Sequence, residues 1–273
     1  RFDPDRITAT DRQAMAAGRR LKVLTRLDDY VRTWFRSDRA RKVLEYNMVF
    51  LGGSPENTPA MYSMMSHIDL NLGVWYPMGG IGAVVEAIQR LAEAAGARFR
   101  FGCPVRRIVV EGSRVTGVAT DDGTIPAEVV VANADYRHVE MELLEPQHRQ
   151  YGERYWSSRV IGPSSFVAYV GIEGRVEQLA HHTLFLEADW MTHFNSIYRR
   201  PAWPERAPYY VCCPSRTDPA MAPPGGENLF VLVPVAAGLD DPDDVRERQA
   251  EWVLGDLERQ LGRVLGGRMV VRR

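Results

Sequence analysis

The sequence is poor in several things, and each shortage removes a class of protein. It has only three cysteines, Cys103, Cys212 and Cys213, too few and too badly spaced for a disulfide framework. The adjacent pair sits in an apolar, strand-like run and reads as buried, reduced thiols, which suits a reducing cytoplasm. There is no excess of positive charge: 34 Lys and Arg face 35 Asp and Glu. A nucleic-acid partner is therefore not expected. No apolar run approaches the ~20 residues of a membrane span. No signal peptide, internal repeat or low-complexity tract is visible. The first residue is Arg1, and the 273 residues read as a piece of a longer protein.

What is present is ordinary globular composition, 45% hydrophobic and 25% charged, enough for one large domain or two moderate ones. The N-terminal stretch to about residue 50 is patterned as amphipathic helix. In RLKVLTRLDDYVRTWF, Leu21, Leu24, Leu27, Val31 and Trp34 recur at helical spacings. A second helix is predicted over 39–49, stopped by Gly52-Gly53. Met61, Met64 and Met65 lie in a further helical stretch. The segment GVWYPMGGIGAVVEAIQRL then runs from an extended piece, where Pro77 disfavours a central ladder, through glycines into a helix over 81–95. That helix has an apolar face of Ile81, Val84, Val85, Ile88 and Leu91, expected to pack on a sheet.

Short strands are predicted at 98–101, 105–111 and 115–120, with a turn at Asp122-Gly123. The run Ala127–Ala132 reads as a strand buried on both faces. Further strands are expected at 165–172, 183–186, 209–214, 228–235 and 269–271. A last helix opens near Pro242 and runs to about Leu265 before Gly266-Gly267. The pattern is mixed α/β or α+β. We divide it as a helical part (1–72), a helix-plus-strands block (73–135) and a β-rich part (136–273).

The glycines pose the functional question, since a glycine-rich turn before a helix is the signature of a phosphate cradle. The fingerprint G-x-G-x-x-G is incomplete, however: Gly80-Ile81-Gly82-Ala83-Val84-Val85 lacks its third glycine. His181-His182 raises a metal site, but neighbours on a strand point to opposite faces, and no further ligand stands at a suitable spacing. No metal is expected. Glu187, Asp189 and Asp218 are loop acids able to assist a deprotonation; nothing selects among them, and no catalytic residue is assigned.

Several segments together resemble one family. GVWYPMGGIGAVVEAI, the block GARFRFGCPVRRIVVEGSRVTGVATDDGTIPAEVVVANAD, and Leu179-Ala-His-His-Thr183, Thr217-Asp-Pro219, Ala222-Pro-Pro-Gly225 and Leu232-Val-Pro234 are similar to phytoene desaturases. These are carotenoid desaturases among the FAD-dependent, amine-oxidase-like flavoproteins. The resemblance covers most of the chain from about Gly52, as the central part of a parent enzyme whose dinucleotide fingerprint and closing flavin motif lie outside it.

The resemblance implies a two-domain FAD-linked oxidoreductase fold: a β-sheet substrate domain with helices, and a segment of the FAD-binding domain. It implies that Val105 presents backbone to the adenine of FAD, and that Gly79 and Gly80 allow close approach of ring or substrate. Trp75, Tyr76 and Met78 would line a tunnel for an apolar polyene such as phytoene. Asn133-Ala134-Asp135 would mark a crossing between domains, or a turn closed by its own side chains. The implied reaction transfers hydride from an allylic carbon to flavin, at the surface of a membrane that supplies the lipid-soluble substrate. Arg19, Arg20, Lys22, Arg26 and Arg32 would contribute an interfacial face. The alternative is a polyene-binding or structural fragment without turnover. An amine oxidase of the same group is a third reading, disfavoured by the HHT and TDP motifs.

Overall fold

The computed structural model describes residues 18–262, 264–265 and 269–272. The first seventeen residues of the expected N-terminal helix, and Gly266-Gly267, lie outside them. In chain order the longer elements are α1 (Leu27–Trp34), α2 (Asp38–Glu45), α3 (Ile81–Ala94), β1 (Val105–Glu111), β2 (Arg114–Thr120), β3 (Gly123–Pro126) and β4 (Ser164–Glu173). Then follow β5 (His182–Phe185), α4 (Trp190–Tyr198), β6 (Tyr209–Cys212), β7 (Gly226–Val235), α5 (Asp243–Leu261) and β8 (Met269–Arg272). Helix and sheet are both present throughout, the mixed class expected. Among the described residues no helix is long and apolar enough to cross a membrane.

The described residues form two compact units. Those up to Glu86, with those from Gly162 onward, make the first; Ala87–Ile161 make the second. The first is therefore discontinuous in sequence.

Its centre is a five-stranded antiparallel sheet in the order β5-β6-β7-β4-β8. Alternation decides which face is which. In β7, Leu229, Val231, Val233 and Val235 are buried, whereas Asn228, Phe230 and Leu232 are only partly covered. The buried set joins Ala168, Val170 and Ile172 of β4 and Val211 of β6 in one core. On this face α5 contributes Val253, Leu254, Leu257 and Leu261, one stripe at helical spacing. Each such side chain removed from water stabilises the fold by about 1.5–3 kcal/mol. The opposite face of the sheet carries the site described below.

Local chemistry sets several boundaries differently from the pattern. The first predicted helix breaks over residues 21–26, and α1 begins only at Leu27. The final helix starts at Asp243 with Pro242 as its cap, and ends at Gly262, whose φ of +63° turns the chain left-handed four residues before the expected glycines. Trp190–Tyr198 folds as a helix that the apolar periodicity does not reveal, started by Asp189, whose side chain accepts the Met191 N–H at 3.0 Å.

The second unit is a meander, β1-β2-β3, with Thr120 opposite Gly123 across the Asp121-Asp122 turn. Two expectations fail here. Arg98–Phe101 and Ala127–Ala132 form no strand, and Val129 and Val131 are 77% and 89% exposed. β-Branched residues favour extended backbone, but a strand needs a neighbour, and none of the described strands pairs with these segments. The apolar face of α3 is likewise uncovered: none of its residues is buried, and Ile88 and Leu91 are more than half exposed. The expected packing of α3 on a sheet is not found among the described residues.

Candidate functional site

The site lies wholly within the first unit. Val74–Pro77 arrives extended and unpaired, consistent with the proline. The chain then reverses over Pro77–Gly80, where the Gly80 N–H donates to the Pro77 carbonyl at 2.9 Å. Gly79 and Gly80 have φ of +87° and +80°, a pair that residues with a Cβ adopt only at a cost. A Cβ on Gly80 would meet Met221 Sδ at 3.4 Å and the Tyr76 hydroxyl at 3.5 Å. The glycines thus serve the turn and its packing against the protein's own side chains.

Asp218 holds this turn in place. It is buried, and its Oδ2 accepts the Gly79 N–H at 2.6 Å while Oδ1 accepts the Ala220 N–H at 3.1 Å. The neighbouring Thr217 hydroxyl meets His181 Nδ1 at 2.6 Å. Arg216 donates to the Leu179 carbonyl at 2.9 Å and the Val176 carbonyl at 3.2 Å, and lies 3.4 Å from buried Glu227. Glu227 in turn accepts the Val176 N–H at 2.7 Å. The Arg-Thr-Asp run therefore fixes both the chain entering β5 and the glycine turn. Two motifs 36 residues apart, His-His-Thr and Thr-Asp-Pro, are one structure.

Above this scaffold opens a pocket of about 670 Å³. Trp75, Tyr76 and Gly80 line it from the glycine segment; His181, His182, Tyr210 and Phe230 line it from the sheet. Its walls are ring contacts: Tyr76 meets His181 edge-on at 4.6 Å between centroids, and Tyr169 meets Phe230 at 5.5 Å. His182 Nδ1 lies 2.6 Å from the Tyr210 hydroxyl. No carboxylate is among the residues lining it. A second cavity of about 430 Å³ lies on the same sheet face, lined by Leu184, Leu232, Pro234 and Trp190, and Tyr210 belongs to both walls.

The electrostatics follow from burial. It pushes both histidines below the ordinary imidazole value, with the neighbouring His182 adding to the effect at His181. It raises the thiols of Cys212 and Cys213 and the hydroxyl of Tyr210. Burial thus favours the neutral form of each of these groups, and two polar atoms in the pocket, Tyr76 Oη and His181 Nε2, are buried with no hydrogen-bond partner.

Of the residues singled out from sequence, Trp75, Tyr76 and Gly80 come together in the pocket. Gly79 shapes the turn without lining it, and Met78 is 61% exposed and lies outside its lining. Val105 opens β1 of the second unit, opposite Thr120. Of the three loop acids, Asp189 caps α4, Asp218 anchors Gly79, and Glu187 is exposed. Asn133-Ala134-Asp135 contains a helix cap, Asp135 accepting the His138 N–H at 2.8 Å. His181 and His182 do not point apart as strand neighbours would; their ring centroids are 4.3 Å from each other. His181 precedes β5 and escapes its alternation. No sequence signal marks Asp218, Thr217 and Arg216 as a support, because the spacing that reveals it exists only in the fold.

Known proteins give the arrangement its context. A carotenoid 3,4-desaturase of Haloarcula japonica is 46% identical over 252 residues, covering 92% of this chain and 50% of that protein. A zeta-carotene-forming phytoene desaturase of Myxococcus xanthus is 35% identical, covering 75% of this chain and 39% of its own length. A phytoene desaturase of Neurospora crassa is 31% identical over 74% of this chain and 36% of its own length. The chain spans half or less of these relatives. Among solved structures, an oxidoreductase from Methanosarcina mazei shares the fold, with a TM-score of 0.62 over 99% of this chain and 61% of that one, at 17% identity. The match to the flavin containing amine oxidoreductase family runs from residue 15 to 265, and the chain belongs to that family.

Proposed function

We propose that the full protein is an FAD-dependent carotenoid desaturase and that this chain supplies its polyene-binding surface. The observation that carries the proposal is the aromatic, carboxylate-free pocket, with a second, mainly apolar cavity sharing its Tyr210 wall. A long uncharged chain binds by area burial and dispersion alone, worth about 25 cal/mol per Å². A small amine calls for a compensating charge, which this lining does not offer. The relatives named above point the same way.

Part of the pocket fits a flat conjugated cofactor. Trp75 presents an indole that is 90% exposed, and Tyr76 Oη is a polar atom in want of a partner. Trp75, Tyr76 and the Gly79-Gly80 turn would border the flavin ring. FAD, when bound, supplies a two-electron oxidant for an allylic carbon. The chain's own residues orient the polyene along the sheet face and exclude water from it. The substrate's solubility calls for peripheral contact with a membrane, on the cytoplasmic side.

The test is expression of the full-length gene with membranes carrying phytoene or a partly desaturated carotenoid, followed by product identification. New conjugated double bonds support the proposal; unchanged carotenoid with a flavin-loaded protein would overturn it. The incomplete glycine fingerprint favours a second reading for the 273-residue chain alone, a polyene-binding fragment that does not turn over. A yellow flavin spectrum on titration of that chain with FAD would rule this second reading out.

A further inference from the structure

Three soft or borderline ligand groups converge on the pocket wall. His181, His182 and Cys212 can each offer one ligand atom, and these atoms all lie within 4.8 Å of one another. The convergence comes from the sheet: β5 and β6 are antiparallel neighbours with His182 opposite Cys212, and His181 accepts the Cys213 N–H through its carbonyl at 2.8 Å. Cys213 faces the core, and Cys212 turns to the pocket.

The surroundings resemble those of a ligand set. Each imidazole has its Nδ1 engaged by a hydroxyl, Thr217 for His181 and Tyr210 for His182, both at 2.6 Å. Such outer contacts fix the orientation of a metal-binding imidazole and leave Nε2 for the ion. His181 Nε2 is buried without a partner, which costs free energy unless something binds it. Zinc bonds of about 2.0–2.3 Å in a tetrahedron place ligand atoms about 3.3–3.6 Å apart. Closing from 4.8 Å asks for roughly 1 Å of side-chain rotation. His182 is exposed and Cys212 only half-buried, so there is room for that small adjustment around the held imidazoles.

We infer that His181, His182 and Cys212 bind one divalent ion of the zinc class, with a fourth position open to the aromatic pocket. The two nitrogens and one sulfur suit a borderline metal, not calcium or magnesium, which take oxygen ligands. Cys212 binds as thiolate, its proton passing to solvent. This inference does not depend on the desaturase proposal, and its test does not read turnover.

The test is titration of cobalt(II) into the full-length protein, reduced and stripped of metal, recording the visible bands of four-coordinate, thiolate-bound cobalt. One equivalent should develop them and one equivalent of zinc should abolish them. Cys212→Ser should lose the bands and His182→Gln should weaken binding more than about tenfold. Thr217→Val, which removes only an outer contact, should weaken it about 10–100-fold. Cys103→Ser should change nothing. Because His182 is exposed, H182Q keeps the test decisive even if C212S fails to fold. Identical cobalt titrations in wild type and H182Q, or the absence of tetrahedral bands in wild type, would overturn the inference.

Discussion

Asp218 Oδ2 accepts the Gly79 N–H at 2.6 Å across 139 residues of sequence. A buried carboxylate thus ties the loop after β6 to the turn that carries Trp75 and Tyr76 into the pocket. Hydrogen bonds to a charged acceptor contribute about 1.5–3 kcal/mol. Asp218→Ala should therefore lower unfolding free energy by roughly that amount, with Asp218→Asn milder, as denaturant melts would show. Polyene conversion should fall further than flavin content, because the pocket wall moves.

The glycine turn offers a contrast within four residues. Gly80→Ala must hold φ near +80° with its methyl in contact with Met221 Sδ, the backbone alone costing about 1–2 kcal/mol. Met221→Ala should not rescue it, since the backbone cost remains. Gly82 lies in the first turn of α3, and a methyl added there would meet nothing within 4 Å. Gly82→Ala should stabilise by about 0.5–1 kcal/mol. Thermal melts of the three variants separate turn geometry from crowding.

The two cavities on the sheet face are expected to act as one channel. Leu232→Trp fills the second cavity while leaving the lining of the first untouched. Conversion of a long polyene should drop at least about tenfold, the equivalent of about 1.4 kcal/mol in transition-state binding. A truncated polyene should be affected much less. Equal loss on both would argue against a shared channel.

Two buried groups should oppose each other in the pH dependence of stability. Burial, with Asp28 adding to it, raises Glu45 from 4.5 to about 7. The folded state then holds the extra proton, so stability is full below pH 4.5 and is lost as pH rises through about 7. Burial lowers His193 from 6.5 to about 4. Here the unfolded state holds the extra proton, so stability is full above pH 6.5 and is lost as pH falls through about 4. Each slope is at most about 1.4 kcal/mol per pH unit, and they cancel where they overlap. His181 and His182, also lowered by burial, add to the rise with pH below 6.5. Relative to wild type, Glu45→Gln should make stability rise more steeply with pH, and His193→Phe less steeply, in urea melts at stepped pH.

Much of the fold is legible in the sequence. Period-two runs locate β4, β6 and β7 to within two residues, because each must bury one side against α5. Boundaries set by a single cap, such as Gly262 or Asp189, are less visible, since one residue's dihedral or side-chain bond overrides the periodic signal. Ala127–Ala132 misleads because sequence shows strand preference but not the presence of a neighbour. In the site, Trp75, Tyr76 and Gly80 can be found by their resemblance to a family segment. The histidine pair cannot be judged, because alternation holds only inside a strand and His181 stands just before one. Asp218 is visible within the Thr217-Asp-Pro219 motif, but nothing local shows that it anchors a turn 139 residues away.

The discontinuity of the first unit also bears on how the protein is made. The segment carrying Trp75 and Tyr76 leaves the ribosome well before Asp218, and at about 5–20 residues per second several seconds separate the two. β4, β5 and β6 are added only late in that interval, and β7 after it, while the meander of the second unit can complete itself from neighbouring strands. Synthesis therefore presents a nascent chain whose inserted unit is finished first and whose aromatic N-terminal arm waits, unclosed, for its carboxylate.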